Sequence, residues 1–295
     1  MKRNEIQIRD PFVLPVKEEG LYYLYGTTDK NCWSGKAVGF DVYTSKDLEE
    51  WDGPDPAFRP EEDFWAERNF WAPEVFFYGE KYYMFASFKK DEVCRGTQIL
   101  VADNPKGPFL QNSEGPVTPR DWECLDGTLY IDHKGEPWII FCHEWVQIVD
   151  GEICAMRLDK NLEKAVSEPY RLFSASEAPW SKPHKRKFDG VEKEGFVTDG
   201  PFIYETEDKE LLLLWSSIGE EGYAIGMARS QIGKVLGPWI HEQEPIFKKD
   251  GGHGMVFKTL AGKLMLTIHS PNDTPNERPL FFEVVEVNGS LRLKN

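Results

Sequence analysis

Five short clusters carry the residue types that can do chemistry: Asp10-Pro11-Phe12, Ala72-Pro73-Glu74-Val75, Asp126-Gly127-Thr128, Asp199-Gly200-Pro201 and Gly252-His253-Gly254. Each opens a short apolar run. If the runs converge, Asp10, Glu74, Asp126, Asp199 and His253 share one small volume. Carboxylates held that close repel one another once they are partly desolvated. Two uses would justify the arrangement: holding a cation, or acid–base chemistry with the pKa values pushed apart. A purely structural reading, in which they cap strand ends toward bulk water, leaves their recurrence without a reason.

The elements that must position these residues are strands. Twenty prolines and 25 glycines punctuate runs rich in Tyr, Phe, Trp, Val and Ile, an all-β pattern. A second strand follows each cluster, at 21–28, 81–87, 137–145, 211–217 and 263–270. Third strands follow at 40–44, 98–102, 153–157, 223–228 and 280–284. The five lead residues are spaced by 64, 52, 73 and 54 residues, and positions 22, 82, 138, 211 and 264 in the second strands lie 12, 8, 12, 12 and 11 residues after them. Several units close on a polar turn and an aromatic, as in SKDLEEW at 45–51 and ARSQIGKVLGPW at 228–239. Five such units without a helical layer predict a five-bladed β-propeller, one domain over 1–295. A β-sandwich of this size would not need so constant an offset.

In a propeller the first strand of each blade lies on the axis, so the lead residues form a ring at one end of the channel. The second strands return to the same face with polar ends: Thr27-Thr28, Ser87, His143-Glu144, Ser216-Ser217 and His269-Ser270. Trp33, Trp65, Phe70, Trp71, Trp145 and Trp180 stand in or beside loops. Indole faces pack on the C–H faces of sugars, and Trp71, just before the second cluster, is the one expected in the pocket. Carboxylates flanking a channel with aromatic walls suit glycoside hydrolysis, with one ionised to activate water and the other protonated for the leaving group. Asp10 and Asp199 are the natural pair across the axis. The longest unit holds a loop from Ser174 to Gly195 with the basic run KPHKRK at 182–187. That loop reads as a solvated face or as part of the pocket rim.

Composition closes off other classes. The net charge is −15, so a nucleic-acid or membrane-surface partner is not expected. No apolar run is long enough to span a bilayer. The opening MKRNEIQIRDPF lacks a signal-peptide core, so a cytoplasmic location is expected. Five widely spaced cysteines without a CxxC pair read as reduced core residues.

These elements together resemble glycoside hydrolase family 43, inverting five-bladed propellers acting on arabinose- and xylose-containing glycans. RDPFV at 9–13 resembles the family's opening Asp-Pro, which implies Asp10 as general base. WAPEV at 71–75 resembles its second-blade signature, and LDGTLYID at 125–132 the third-blade element, whose Asp implies a role for Asp126 in tuning and orienting the acid. GGHGMVF at 251–257 resembles the fifth-blade element whose His sits over an axial calcium held through waters, implying His253. Arg278 in NERPLFF resembles a late Arg that reaches the pocket. Trp71, Glu74 and Glu144 complete the expected substrate contacts. The fourth element departs from the pattern: the family's general acid is the Glu of Glu-Gly-Pro, and this chain has Asp199 there, one methylene shorter. Glu144 is a reserve acid, as is Glu123 in WECLDG, which resembles the Glu-Cys acid of family 32 fructosidases. The implied function is hydrolysis of an arabinose- or xylose-containing oligosaccharide. Its alternative is a carbohydrate-binding propeller that has lost catalysis through Asp199. Phosphorolysis, as in family 130, needs cations for phosphate that this acidic ring does not offer.

Overall fold

A computed structural model describes residues 1–188 and 191–294. Five four-stranded sheets follow one another along the chain, each built from consecutive strands in simple order. Blade 1 comprises β1 (Arg9–Val16), β2 (Leu21–Thr27), β3 (Phe40–Ser45) and β4 (Trp51–Phe58). Blade 2 comprises β5 (Arg68–Tyr78), β6 (Lys81–Lys90), β7 (Val93–Ala102) and β8 (Leu110–Gln111). Blade 3 comprises β9 (Cys124–Ile131), β10 (Pro137–His143), β11 (Glu152–Arg157) and β12 (Tyr170–Ser174), with a single helical turn α1 (Trp145–Ile148) after β10. A separate hairpin, β13 (His184–Phe188) and β14 (Val191–Gly195), leads into blade 4. Blade 4 holds β15 (Asp199–Glu205), β16 (Leu211–Gly219), β17 (Gly222–Ser230) and β18 (Trp239–His241). Blade 5 holds β19 (Gly252–Lys258), β20 (Leu264–Ser270), β21 (Arg278–Val287) and β22 (Ser290–Leu293). The five-bladed propeller and its second and third strands stand where the repeat puts them. The loop over 174–195 is different: most of its later part is the β13–β14 hairpin, with 189–190 outside the described residues.

Apolar side chains fill the spaces between blades. Phe40, Phe58, Phe64, Phe70 and Phe88 interlock between blades 1 and 2, mostly edge to face, with Phe70 and Phe88 centroids 4.8 Å apart. Such offset geometry suits the ring quadrupoles and adds to area burial. Phe70, Trp65 and Trp180 belong to this packing; Trp180 lies against Trp215 at 4.8 Å. All five cysteines are free, four of them buried. Among the described residues no helix is long and apolar enough to cross a membrane.

Every first strand carries the same bulge, and it sets the true register of the lead residues. Arg9, Trp71, Leu125, Asp199 and Gly252 pair with the second strand; pairing then skips and resumes three residues later. The residue just after the pairing position is left-handed in each blade: Asp10 (φ 53°), Ala72 (47°), Asp126 (56°), Gly200 (48°) and His253 (45°). The ring at the axis is therefore Asp, Ala, Asp, Gly, His. This corrects the expected register in two blades. Glu74 lies two residues beyond the ring position, and Asp199 one before it, level with Arg9 and Trp71. A Cβ at position 200 would come within 2.6 Å of the His253 ring, so blade 4 needs Gly there on steric as well as conformational grounds.

Candidate active site

The bulge turns the N–H of each left-handed residue toward the neighbouring blade, and in four of the five a polar strand end accepts it. Ala72 N donates to Thr27 Oγ1 (2.8 Å), Asp126 N to Ser87 Oγ (2.8 Å) and His253 N to Ser216 Oγ (2.7 Å). Asp10 N donates to His269 Nδ1 across the blade 5–blade 1 seam (3.1 Å). The polar strand ends thus hold the floor in shape, satisfying buried donors that would otherwise be costly. Blade 3 differs. Its strand end at this register is Cys142, paired with Leu125. Gly200 N bonds the Asp126 carboxylate instead, at 3.0 Å to Oδ2.

A cavity of about 590 Å³ opens over this floor. Asp10, Asp126, Asp199, His253, Trp71 and Glu144 all line it. Glu74 is buried away from it, and burial pushes its carboxyl up to about 8. Arg278 does not reach it. Its guanidinium donates to backbone carbonyls, from Nε to Asn4 (3.0 Å) and from Nη1 to Pro275 (3.1 Å) and Glu277 (2.7 Å). Five donors on a planar fork suit that clamping role between chain segments.

Three carboxyls on the cavity have different protonation. Burial raises the pKa of Asp10, but His253, Arg9, His269 and the Thr27 hydroxyl (2.6 Å to Oδ2) outweigh it, and the net shift is downward. His253 Nδ1 lies 3.1 Å from Asp10 Oδ1 and 3.7 Å from Asp126 Oδ2. Burial lowers the pKa values of both His253 and His269, the latter to about 3. Both rings are therefore neutral near neutral pH. The fixed positive charge beside Asp10 is then Arg9, and the imidazoles act as hydrogen-bonding groups. His269 accepts at Nδ1, which puts its proton on Nε2. His253 faces the two carboxylates through Nδ1, so that nitrogen carries its proton, and its buried Nε2 has no hydrogen-bond partner.

Asp199 goes the other way. Burial, then the charges of Asp10 and Glu144, push it up to about 7 against the Tyr223 hydrogen bond (3.0 Å to Oδ2). Asp126 is raised as well, by burial first and then by Asp199 and Asp10. Asp126 and Asp199 titrate as a pair, since two buried carboxyls this close do not both ionise readily.

The reserve acids are otherwise engaged. Glu144 is paired with Arg95, although burial raises its pKa. Glu123 pairs with Lys89 and accepts from Arg95 N (2.9 Å), and these bonds pull it below the usual carboxylate range despite burial. It is not part of the cavity lining.

Sequence reasoning missed Arg9 and Tyr223, which line the cavity; of the two readings of the 174–195 loop the pocket rim holds, because His184–Arg186 line the cavity too. Arg9 ion-pairs with the fully buried Glu277 at 2.7 Å and donates to Asn272 Oδ1 at 2.8 Å. Its signal was available: it directly precedes Asp10 as Trp71 precedes Ala72.

Comparison with known proteins fits this geometry. Residues 5–288 match the model for "Glycosyl hydrolases family 43". The chain is similar to the crystal structure of an endo-arabinase from Bacteroides thetaiotaomicron VPI-5482, with 45% identity, a TM-score of 0.90 and 98% of each chain covered. It shares its fold with an endo-1,4-beta-xylanase from the same organism, at 21% identity and TM-score 0.77, covering 98% of this chain and 95% of the other. A similar fold occurs in an exo-1,5-alpha-L-arabinanase from a bovine ruminal metagenomic library, at 20% identity and TM-score 0.70, covering 98% and 97%. A search of curated protein sequences gave no match.

Proposed function

The chain belongs to glycosyl hydrolase family 43 and is a glycoside hydrolase; from that membership we propose that it cleaves arabinose-containing oligosaccharides with inversion, using Asp10 as general base and Asp199 as general acid. One observation carries the assignment: on one cavity, Asp10 is held below the usual carboxylate range while Asp199 is pushed up to about 7. Inverting hydrolysis asks for that split. Ionised Asp10 takes a proton from water as it attacks the anomeric carbon. Tyr223 occupies Asp199 Oδ2, so the acid's proton rides on Oδ1, the oxygen left for the leaving group. Burial and the charges of Asp10 and Glu144 keep the acid protonated, while Asp126, held by the Gly200 N–H, serves to orient it. The shorter Asp199 side chain sits on the rim register of β15, one residue before the ring, and not on the floor. Arabinose is the proposed sugar because the 45%-identical relative is named an endo-arabinase.

For an axial calcium, the residues fit only a water-held ion. Among the described residues no three His, Cys, Asp or Glu side chains are arranged to hold a metal directly, and calcium calls for six to eight oxygens. The unpartnered Nε2 of His253 would hold such an ion through water, and the ion would supply positive charge near the carboxyls. Calcium addition after chelation, read as a shift in Tm, tests it.

The experiment for the reaction compares arabinotriose with p-nitrophenyl α-L-arabinofuranoside in wild type, Asp10→Asn and Asp199→Asn. Asp10→Asn should lose activity on both. Asp199→Asn should lose arabinotriose far more than the activated aryl glycoside. Equal losses on both would remove Asp199 as the acid. Sugar binding without turnover in the wild type would make the chain a carbohydrate-binding propeller.

A further inference from the structure

Trp33 stands in the β2–β3 connection of blade 1 and is 41% exposed, yet its indole is held from several directions. Nε1 donates to Thr274 Oγ1 of the blade 5 rim at 2.8 Å. The ring meets Trp71 of blade 2 edge to face at 5.3 Å, and the Arg9 guanidinium lies 4.9 Å from its centre. A further neighbour comes from the hairpin between blades 3 and 4, where Arg186 places its guanidinium 5.4 Å from the Trp33 ring centre.

That hairpin is footed on blade 3. His184 meets Trp145 edge to face at 5.9 Å, and Lys193 Nζ donates to Val146 O at 2.7 Å. Blades 1 and 3 are not neighbours, because blade 2 lies between them. Blade 2's own side of the rim is filled. Arg95 lies 4.0 Å over the Trp71 ring and pairs with Glu144 at the end of β10. Contacts thus run unbroken from Trp33 through Trp71 and Arg95 to Glu144. Arg186 joins the two ends of that run a second time, since its charge also bears on Glu144.

We propose that this double junction shuts the blade 2 end of the cavity, so that the enzyme accepts the end of a glycan chain and Trp33 with Arg186 sets that mode of attack. The inference rests on the arabinan-directed reading above and deepens it. An internal stretch of polymer needs a way out on both sides of the bond being cleaved. Here one side meets two indoles packed edge to face and guanidinium groups, whose faces and donors suit a terminal sugar. On blades 4 and 5 the cavity is lined by Ile218 and Asp273, and the proposal brings the chain in from that side.

The test digests linear 1,5-linked arabinan with wild type, Arg186→Ala and Trp33→Ala, with arabinotriose as a parallel substrate. Products are resolved by chromatography at equal numbers of bonds cleaved. Wild type should release only mono- or disaccharide early, with little fall in viscosity. Each variant should raise the share of products longer than three sugars at least fivefold. A ladder of long products from the wild type, or an unchanged product profile in both variants, overturns the inference. Wild type inert on both arabinotriose and arabinan would instead sink the functional reading, and this inference with it.

Discussion

At the cavity floor, Asp10, Ala72, Asp126, Gly200 and His253 occupy one bulge register on five strands; at the rim, Trp33, Arg95, Glu144 and Arg186 occupy four unrelated positions. The floor is made by repetition. Each blade repeats a left-handed residue, most with the N–H received by the blade before it, and the chemistry lies in which side chain fills each copy. The rim is made by long-range contact between segments that share no pattern. Substitutions of the titratable side chains on the floor should therefore act on the chemical step, and substitutions of these four rim residues on substrate choice and local stability.

The largest effect should come from the floor. Asp10→Asn should lower kcat by about 10²–10⁴-fold, the usual contribution of a positioned acid or base, with the thermal transition nearly unchanged. A loss confined to KM would put Asp10 with the binding residues and blur the division. In the wild type, kcat should fall as pH rises through about 7, where Asp199 gives up its proton. It should fall on the acid side only below the ordinary carboxylate pKa, since Asp10 is shifted down.

At the rim, Arg95→Met leaves Glu144 buried without its partner, which costs about 3–5 kcal/mol for a buried pair broken on one side. Adding Glu144→Gln should restore most of the lost stability, and a thermal double-mutant cycle reads the coupling. Additive effects would deny that the two form one rim unit. A subtler change is Tyr223→Phe. Its hydroxyl favours ionised Asp199, so removing it raises the Asp199 pKa, and the alkaline limb of the pH–rate profile should move upward. A downward move would mean that Tyr223 serves the protonated form. The smallest effect is expected at Ala72, where a left-handed conformation costs a non-glycine residue about 1–2 kcal/mol. Ala72→Gly should raise stability by about 1 kcal/mol, or about 2–4 °C in Tm, without touching kcat.

The same division explains what could be read from the chain. The strands and the five clusters are local patterns, and Asp10, Asp126 and His253 stand in the ring as their spacing implies. The bulge is invisible in sequence, because pairing partners decide where a strand skips a residue. Glu74 and Asp199 were therefore placed on the ring when one lies beyond it and the other before it. Arg278 shows a different failure: a late arginine near a cavity is no different in sequence from one that clamps backbone carbonyls. The segment at 184–195 reads in sequence as either a solvated face or a pocket rim, and sequence does not choose between them because its partners, Trp33 and Trp145, lie about 150 and 40 residues away and belong to other blades.

The seam between blades 5 and 1 has a consequence for biosynthesis. Each blade is a continuous stretch of chain, so the ring is joined by side chains and not by a strand exchanged between its first and last blades. Asp10, the proposed general base, belongs to blade 1. Its N–H acceptor His269, its neighbour His253 and the Glu277 that holds Arg9 all come from the last. A nascent chain that has completed blades 1 to 4 thus carries every carboxyl of the proposed reaction but lacks the blade 5 groups that surround Asp10. On this reading the complete site forms only when blade 5, Gly252–Leu293, has been made and closes against blade 1.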